Sequence, residues 1–238
     1  MESAEYALMD EAEDHMWWYR ALHARMVQAV AGVHGRVLDA GCGTGGLLAA
    51  LGRLRPDLAL AGLEWDGAAA KRAARKSGAA VVQGSVNTLP FQDGCFDAAL
   101  AADLLCHGAV EPVPALGELR RVLRPGGRLV VNMPAYAWLL SAHDRRVHNT
   151  RRQSARQLRA TLQSGGFAPV RTAYWNGLLL PLMVAQRKLR SRRHDSASDV
   201  AAFPPRLDFM LHCVTELERR LPFGLPAGGS VLALAIRR

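Results

Sequence analysis

Apolar positions along this chain recur first at helical and then at strand spacing, in alternation. Residues 6–31 contain few breakers and place Leu22, Met26, Val27 and Val30 on one face, which predicts a single long helix. A strand-like run, Arg36 to Asp39, enters the glycine-rich stretch Ala40 to Gly46. A helix over 47–55 follows and stops before Pro56, and the apolar segment 58–63 ends at Glu64-Trp65-Asp66. The pattern then predicts a helix over 67–76 and strands over 79–83 and 97–101. Further on come a helix over 113–123, a strand over 127–132 behind Pro125-Gly126-Gly127, a helix over 154–165, and strands over 167–174 and 231–236. Strands alternating with helices imply an α/β fold with a mainly parallel seven-stranded sheet and helices on both faces. The boundaries this suggests are an N-terminal helical cover (1–35), a core (36–174), an apolar and basic lid insert (175–229) and a final core strand (230–238).

Composition narrows the class. With 238 residues, 50% hydrophobic and 21% charged, the chain can bury a substantial core and is too apolar for a disordered segment. No uncharged apolar run is long enough to span a bilayer, and the acidic start, Met1 to Asp14, is unlike a secretory signal. Cys42, Cys95, Cys106 and Cys213 show neither paired nor metal-ligand spacing, so reduced thiols in the cytoplasm and no metal site are expected. The net charge of +9 is uneven: residues 145–238 hold 17 basic and 5 acidic side chains, whereas residues 1–144 hold 13 and 16. The Arg- and Ser-rich run from Arg187 to Asp199 reads as a mobile loop.

The chemistry concentrates in Val37-Leu38-Asp39-Ala40-Gly41-Cys42-Gly43-Thr44-Gly45. A strand that enters a glycine loop and leaves as a helix lets backbone N–H groups approach a ligand closely. Asp39 would repel a pyrophosphate but suits a cationic amino group, and Gly46-Leu47 breaks the dinucleotide fingerprint. Glu64, 19 residues past Gly45, stands where a carboxylate accepts both hydroxyls of an unphosphorylated ribose. These features, with Gln83-Gly84-Ser85-Val86, Leu89-Pro90-Phe91, Phe96-Asp97 and Leu123-Arg124-Pro125-Gly126-Gly127, resemble the class I S-adenosylmethionine-dependent methyltransferases. The likeness is to the type 11-like, small-molecule and quinone branch, and it implies a Rossmann-like fold. It further implies that Asp39, Ala40, Gly41, Cys42 and Gly43 face the methionine part of S-adenosyl-L-methionine, with Ala102 beside it. Glu64 would hold the ribose, Trp65 would pack on the adenine, and Ser85 and Val86 would border that ring. Ser85 departs from the family's usual Asp, which implies a weaker adenine contact. Cys42 reads as a small loop residue rather than a nucleophile, and Asp97 and Leu89-Pro90-Phe91 read as structural.

Methyl transfer to a protonated oxygen or nitrogen needs a base, and His is best suited. The segment Met133 to Arg152 resembles a bacterial methyltransferase subgroup through Pro134-Ala135-Tyr136, Ser141-Ala142-His143-Asp144 and His148…Arg151-Arg152, with Gln153 where a Tyr is usual. His143 is the first candidate base, Asp144 its orienting partner or alternative, and His148 the second. His15-Met16-Trp17-Trp18-Tyr19-Arg20 resembles the same subgroup's cover helix, which implies Trp18 and Tyr19 at the substrate and Arg20 at the cofactor carboxylate. His107 and Tyr136 complete the candidate substrate wall. The apolar insert leading into Arg187-Lys188-Leu189-Arg190 is compatible with a buried lid, a dimer interface or a membrane-surface contact. The expectation is a methyltransferase acting on a small molecule, natural-product or lipid-like, at oxygen or nitrogen. The C-terminal charge favours an acidic or membrane-associated acceptor. Two rivals remain: a nucleic-acid methyltransferase, disfavoured by the absence of a base-flipping motif after strand four, and a non-catalytic partner protein of the same fold.

Overall fold

The structure, a computed structural model, describes residues 3–193, 203–222 and 224–238. Its strands are β1 (Gly35–Ala40), β2 (Leu58–Glu64), β3 (Ala80–Gln83), β4 (Phe96–Ala102), β5 (Leu123–Pro134), β6 (Phe167–Trp175) and β7 (Ser230–Arg237). They form one seven-stranded sheet in the order β3-β2-β1-β4-β5-β7-β6. The first five strands pair in parallel, and β7 inserts antiparallel between β5 and β6. This is the expected α/β, Rossmann-like, mainly parallel sheet. Strand order reverses beside β1, so the crevice that binds ligands in such folds lies between the ends of β1 and β4.

Alternation within the buried strands divides the core in two. Leu38, Ala99, Ala101, Leu129 and Val131 face one way, packing with Leu116 and Leu119 of α5 (Pro112–Val122) and Leu158 and Leu162 of α7 (Ala155–Ser164). Val37, Ala98, Leu100 and Val130 face the other, against Leu47 and Leu51 of α3 (Gly46–Leu54) and Ala21, Leu22 and Met26 of α2 (Trp17–Ala29). Strands buried on both faces read as near-continuous apolar runs, as β1 and β4 do.

Three local expectations are corrected. The single helix over 6–31 is two helices, α1 (Ser3–Ala12) and α2. The break places Glu13 where its carboxylate accepts hydrogen bonds from Thr44 Oγ1 and Lys76 Nζ, both 2.7 Å away. No local side chain caps α2. Instead, Asp208, distant in sequence, accepts a hydrogen bond from the Trp17 N–H at 2.8 Å, satisfying a helix-start donor that has no intrahelical partner. Second, residues 187–193 of the expected mobile loop continue α8 (Leu180–Arg193), where Leu, Met, Ala, Gln, Lys and Arg favour helix; residues 194–199 lie outside those described. Third, the short α6 (Ala142–Arg146) forms inside a stretch read only for its chemistry, and Ser141 and Asp144 make a capping box around it.

A second carboxylate of the insert gathers several contacts. Glu218 of α9 (Pro205–Arg219) accepts hydrogen bonds from the N–H groups of Asn176, Gly177 and Leu178 and lies 3.5 Å from the buried guanidinium of Arg25. Arg25 in turn lies over the Trp175 ring, 4.6 Å from its centroid. Glu218→Ala would leave buried Arg25 with the carbonyls of Ala21 and Thr215 but without this counter-charge, and three N–H groups without their acceptor. A loss of about 3–5 kcal/mol is expected, and with it a melting temperature lower by roughly 6–20 °C. A shift of only a degree or two in thermal denaturation would contradict this account of the anchor.

Candidate active site

The glycine loop follows directly from β1. Gly41, Gly43 and Gly45 all adopt positive φ. At Gly45 an added Cβ would lie 2.6 Å from the Ala73 Cα, so α4 (Gly67–Ser77) can pack there only against a residue without a side chain. The loop is stapled to the end of β2: the N–H groups of Gly41 and Cys42 donate to the Leu63 carbonyl at 2.7 and 2.9 Å, and that of Gly43 donates to Glu64 Oε2 at 2.9 Å.

Beside the loop, Asp39 is 1% exposed, and neither of its carboxylate oxygens has a hydrogen-bond partner. Burial, reinforced by the charges of Glu13 and Glu64, pushes its carboxyl up to about 8. A buried, unpaired acid of this kind is costly unless a cation comes to it. Glu64 Oε1 accepts hydrogen bonds from the Asp66 N–H at 3.0 Å and from the Tyr6 hydroxyl of α1 at 2.8 Å. The Cys42 thiol is pushed up by burial and by both neighbouring carboxylates, which disfavours the thiolate and any nucleophilic role.

These groups border a cavity of about 380 Å³. Its wall brings together most of the candidates: Asp39, Gly41, Cys42, Gly43, Glu64, Trp65, Ser85, Val86, Ala102, Trp18, Tyr19, His107 and His143. Trp65 is 72% exposed and forms the open rim. The Ser85 hydroxyl accepts a hydrogen bond from the Asn87 N–H at 3.2 Å, within its own turn. Burial lowers His107 to about 4, with the nearby charges of His148 and Arg151 acting in the same direction, so its imidazole is neutral near pH 7.

Five candidates lie off this wall. Ala40 is fully buried at the end of β1, inside the core cluster. Arg20 points away because helical spacing puts Tyr19 and His23, and Trp18 and Leu22, on the cavity side of α2. Tyr136 is stacked between Trp138 and Tyr174, with ring centroids 5.7 and 5.4 Å away. His148 is exposed on the turn after α6, with its ring 5.9 Å from that of His107 on the cavity wall. Asp144 does not orient His143: its buried carboxylate pairs with Arg152 at 2.8 and 2.9 Å and caps Ser141.

The cover contributes residues that sequence reasoning missed. Tyr6, Met9 and Glu13 of the N-terminal cover line the cavity, as do Asn87 and Asp103. A signal existed in the charges. The acidic N-terminus faces the basic α4, where Lys76 meets Asp10, Glu13 and Asp14 at 2.7, 2.7 and 3.4 Å. Among the described residues no group of acids, histidines and cysteines has the spacing of a metal site.

A glycine loop between β1 and α3, an unpaired acid at the end of β1 and a second acid closing β2 thus border one cavity of this α/β fold. Residues 38–131 match the model of the methyltransferase domain family. This stretch, less than half of the chain, is thus similar to methyltransferase domains. It is 36% identical over 129 residues to a demethylmenaquinone methyltransferase of Thermus thermophilus, an alignment covering 52% of this chain and 56% of that one. It is 39% identical over 102 residues to an uncharacterised transposon protein of Streptomyces fradiae, covering 41% and 29%. The chain therefore spans only about half, or less, of the length of these curated relatives. A solved S-adenosylmethionine-dependent methyltransferase of Thermotoga maritima shares the fold with a TM-score of 0.63 at 21% identity, covering 99% and 95% of the two chains.

A ligand ammonium seated at Asp39 would favour the ionised carboxylate. Binding of S-adenosylhomocysteine near pH 7 is therefore expected to release about one proton, and affinity should rise as pH approaches 8. Calorimetry in phosphate and Tris should give different observed enthalpies for the wild type, and Asp39→Asn should remove the difference. Identical enthalpies for the wild type in both buffers would show that Asp39 is already ionised.

Proposed function

We propose that this protein transfers the methyl group of S-adenosyl-L-methionine to an oxygen or nitrogen of a small-molecule acceptor. The observation that carries this reading is the buried, unpartnered Asp39 carboxylate beside a glycine loop and Glu64. Asp39 and the loop backbone would hold the methionine portion, Glu64 the ribose, and Trp65 and Val86 the adenine. The Tyr6 hydroxyl on Glu64 Oε1 stands where a ribose hydroxyl would donate, so α1 and the ribose share one acceptor. Ser85 supplies no carboxylate toward the adenine. When bound, the cofactor supplies an activated methyl group on a sulfonium.

The chain's own residues then exclude water, align the acceptor and manage a proton. Trp18, Tyr19, Leu22 and His23 of α2 wall one side of the cavity, and Val110, His143 and Val147 line it from the core's loops. A chamber of about 380 Å³ roofed by α1 and α2 suits a small molecule better than a nucleic-acid strand. His143 is the base we assign, acting without Asp144, whose carboxylate is committed to Arg152. The described cysteines are free, and no described helix is long and apolar enough to cross a membrane. Both facts support a cytoplasmic setting.

Titration with S-adenosyl-L-methionine tests the reading. The wild type should bind, and Glu64→Gln should bind about 10- to 100-fold more weakly, the cost of losing charged hydrogen bonds. No binding to the wild type would overturn the enzyme reading and leave a partner protein of the same fold. Once an acceptor is in hand, His143→Ala should depress kcat far more than cofactor affinity. Equal losses in both would make His143 structural.

A further inference from the structure

We propose that the acceptor is an organic amine, taken up as its ammonium form and held by Asp103. This inference rests on the methyltransferase reading and names the substrate class of the same site. It begins from the charges on the cavity wall. The chain carries 30 Lys and Arg, yet among the described residues the wall includes none of them. It includes four acids: Glu13, Asp39, Glu64 and Asp103. Two wall histidines, His23 and His107, are each lowered to about 4 by burial and so add no charge. Among the described residues, no Lys or Arg of the basic C-terminal part, whose charge by itself favours an acidic acceptor, lines this chamber.

Three of the four acids have other work. Glu13 is engaged by Thr44 and Lys76, and Asp39 and Glu64 belong to the glycine-loop end where the cofactor would sit. Asp103 is the remaining acid. It follows β4 directly and shares the cavity wall with Trp18, Tyr19, His107 and His143.

Asp103 is held in place from outside the cavity. Its backbone has φ 50, a left-handed conformation unusual for a residue with a side chain. Asn132 clamps it twice: the Asp103 N–H donates to the Asn132 carbonyl at 3.1 Å, and Asn132 Nδ2 donates to Asp103 Oδ1 at 2.8 Å. The Asn132 amide is itself oriented by Trp175 Nε1–H, which donates to Asn132 Oδ1 at 2.8 Å. The amide therefore presents only its NH₂ to Asp103. Of the two Asp103 carboxylate oxygens, Oδ1 is the one that Asn132 takes up. Strain that persists under such support is characteristic of functional sites.

The arrangement discriminates among acceptors by charge. An anionic acceptor would meet Asp103 with no Lys or Arg among the described residues of the cavity wall. A neutral one can offer the carboxylate only an uncharged hydrogen bond, whereas an ammonium pairs with it through a charge-assisted one. Burial raises Asp103 to about 6, opposed by the Asn132 hydrogen bond and the Arg152 charge, so it is largely ionised at neutral pH. The rings of Trp18 and Tyr19 suit the carbon-bound hydrogens of a cation. In the transfer, one ammonium proton passes to the carboxylate or His143 and on to water. The freed nitrogen lone pair then forms the N–C bond, and the S–C bonding pair stays on sulfur. The products are the methylated ammonium and neutral S-adenosylhomocysteine.

The test is calorimetry on the full chain saturated with S-adenosylhomocysteine, titrated with 2-phenylethylamine, n-hexylamine, 2-phenylethanol and phenylacetate. At least one amine should bind, and 2-phenylethanol and phenylacetate should bind about 10-fold or more weakly than that amine. Asp103→Asn, which keeps an oxygen for Asn132, should lose about 10-fold or more in amine affinity, with S-adenosylhomocysteine affinity within about twofold. The retained S-adenosylhomocysteine affinity shows that the variant is folded. Phenylacetate or 2-phenylethanol binding as tightly as the amines, no amine binding, or an Asp103→Asn variant with unchanged amine affinity would overturn the inference. Failure of the wild type to bind S-adenosylhomocysteine would overturn the methyltransferase reading itself.

Discussion

The structure turns on one electrostatic constraint: Glu13, Asp39 and Glu64 converge on a single glycine loop. Each is dealt with differently. Glu64 is satisfied by backbone N–H groups and the Tyr6 hydroxyl, and Glu13 by Thr44 and by Lys76 at the margin. Asp39 is left with nothing and is pushed toward its neutral form. That imbalance is tolerable in a site whose ligand brings a positive charge, because the ligand supplies the missing partner. It also explains the loop's glycines, which bring N–H groups close enough to hold one acid while leaving the other facing the chamber.

The cover is held to this site by contacts that cross the chain. Asp208 supplies the acceptor at the start of α2, and Glu218 gathers Arg25 and the three N–H groups beyond β6. Trp175 then lies under Arg25 and orients Asn132, which fixes Asp103. A continuous path of buried polar contacts therefore runs from the insert to the inner wall of the cavity. Glu218, Trp175 Nε1 and both ends of the Asn132 amide have partners in it, which such networks need if they are to rigidify rather than destabilise. None of the described residues of the insert lines the chamber, yet its helices are linked through these contacts to a residue that does.

Charge is distributed in opposite senses outside and inside. The chain is basic overall, with its excess in the C-terminal part, but the cavity wall carries acids and no Lys or Arg among the described residues. The long cationic side chains that approach the site are spent in structural pairs. Arg152 holds Asp144, and Arg151 caps the carbonyls of Leu105, His107 and Val110. Net charge is therefore a poor guide to the ligand here, because a buried site responds to the groups that line it rather than to the screened total.

The strand–loop–helix around Asp39, the acid at Glu64 and the alternation that builds the sheet were all legible in the sequence. They depend on neighbours in the chain, on the period of two or of 3.6 residues, and on the conformations open only to glycine. The candidate base region was legible as composition but not as geometry. His143 reaches the cavity, while Asp144, His148 and Tyr136 are drawn into a capping box with Arg152, an exposed turn and an aromatic stack. The cover's Tyr6 and Glu13 meet partners 58 and 31 residues away, and Asp103 is clamped by Asn132, 29 residues on. Local pattern cannot specify such pairings, because each depends on how distant strands and helices are placed. The sequence by itself determined the fold and the glycine loop and acids that end β1 and β2. Only the tertiary structure decided which acids are free to meet a ligand, because freedom is what remains after every other partner has been assigned.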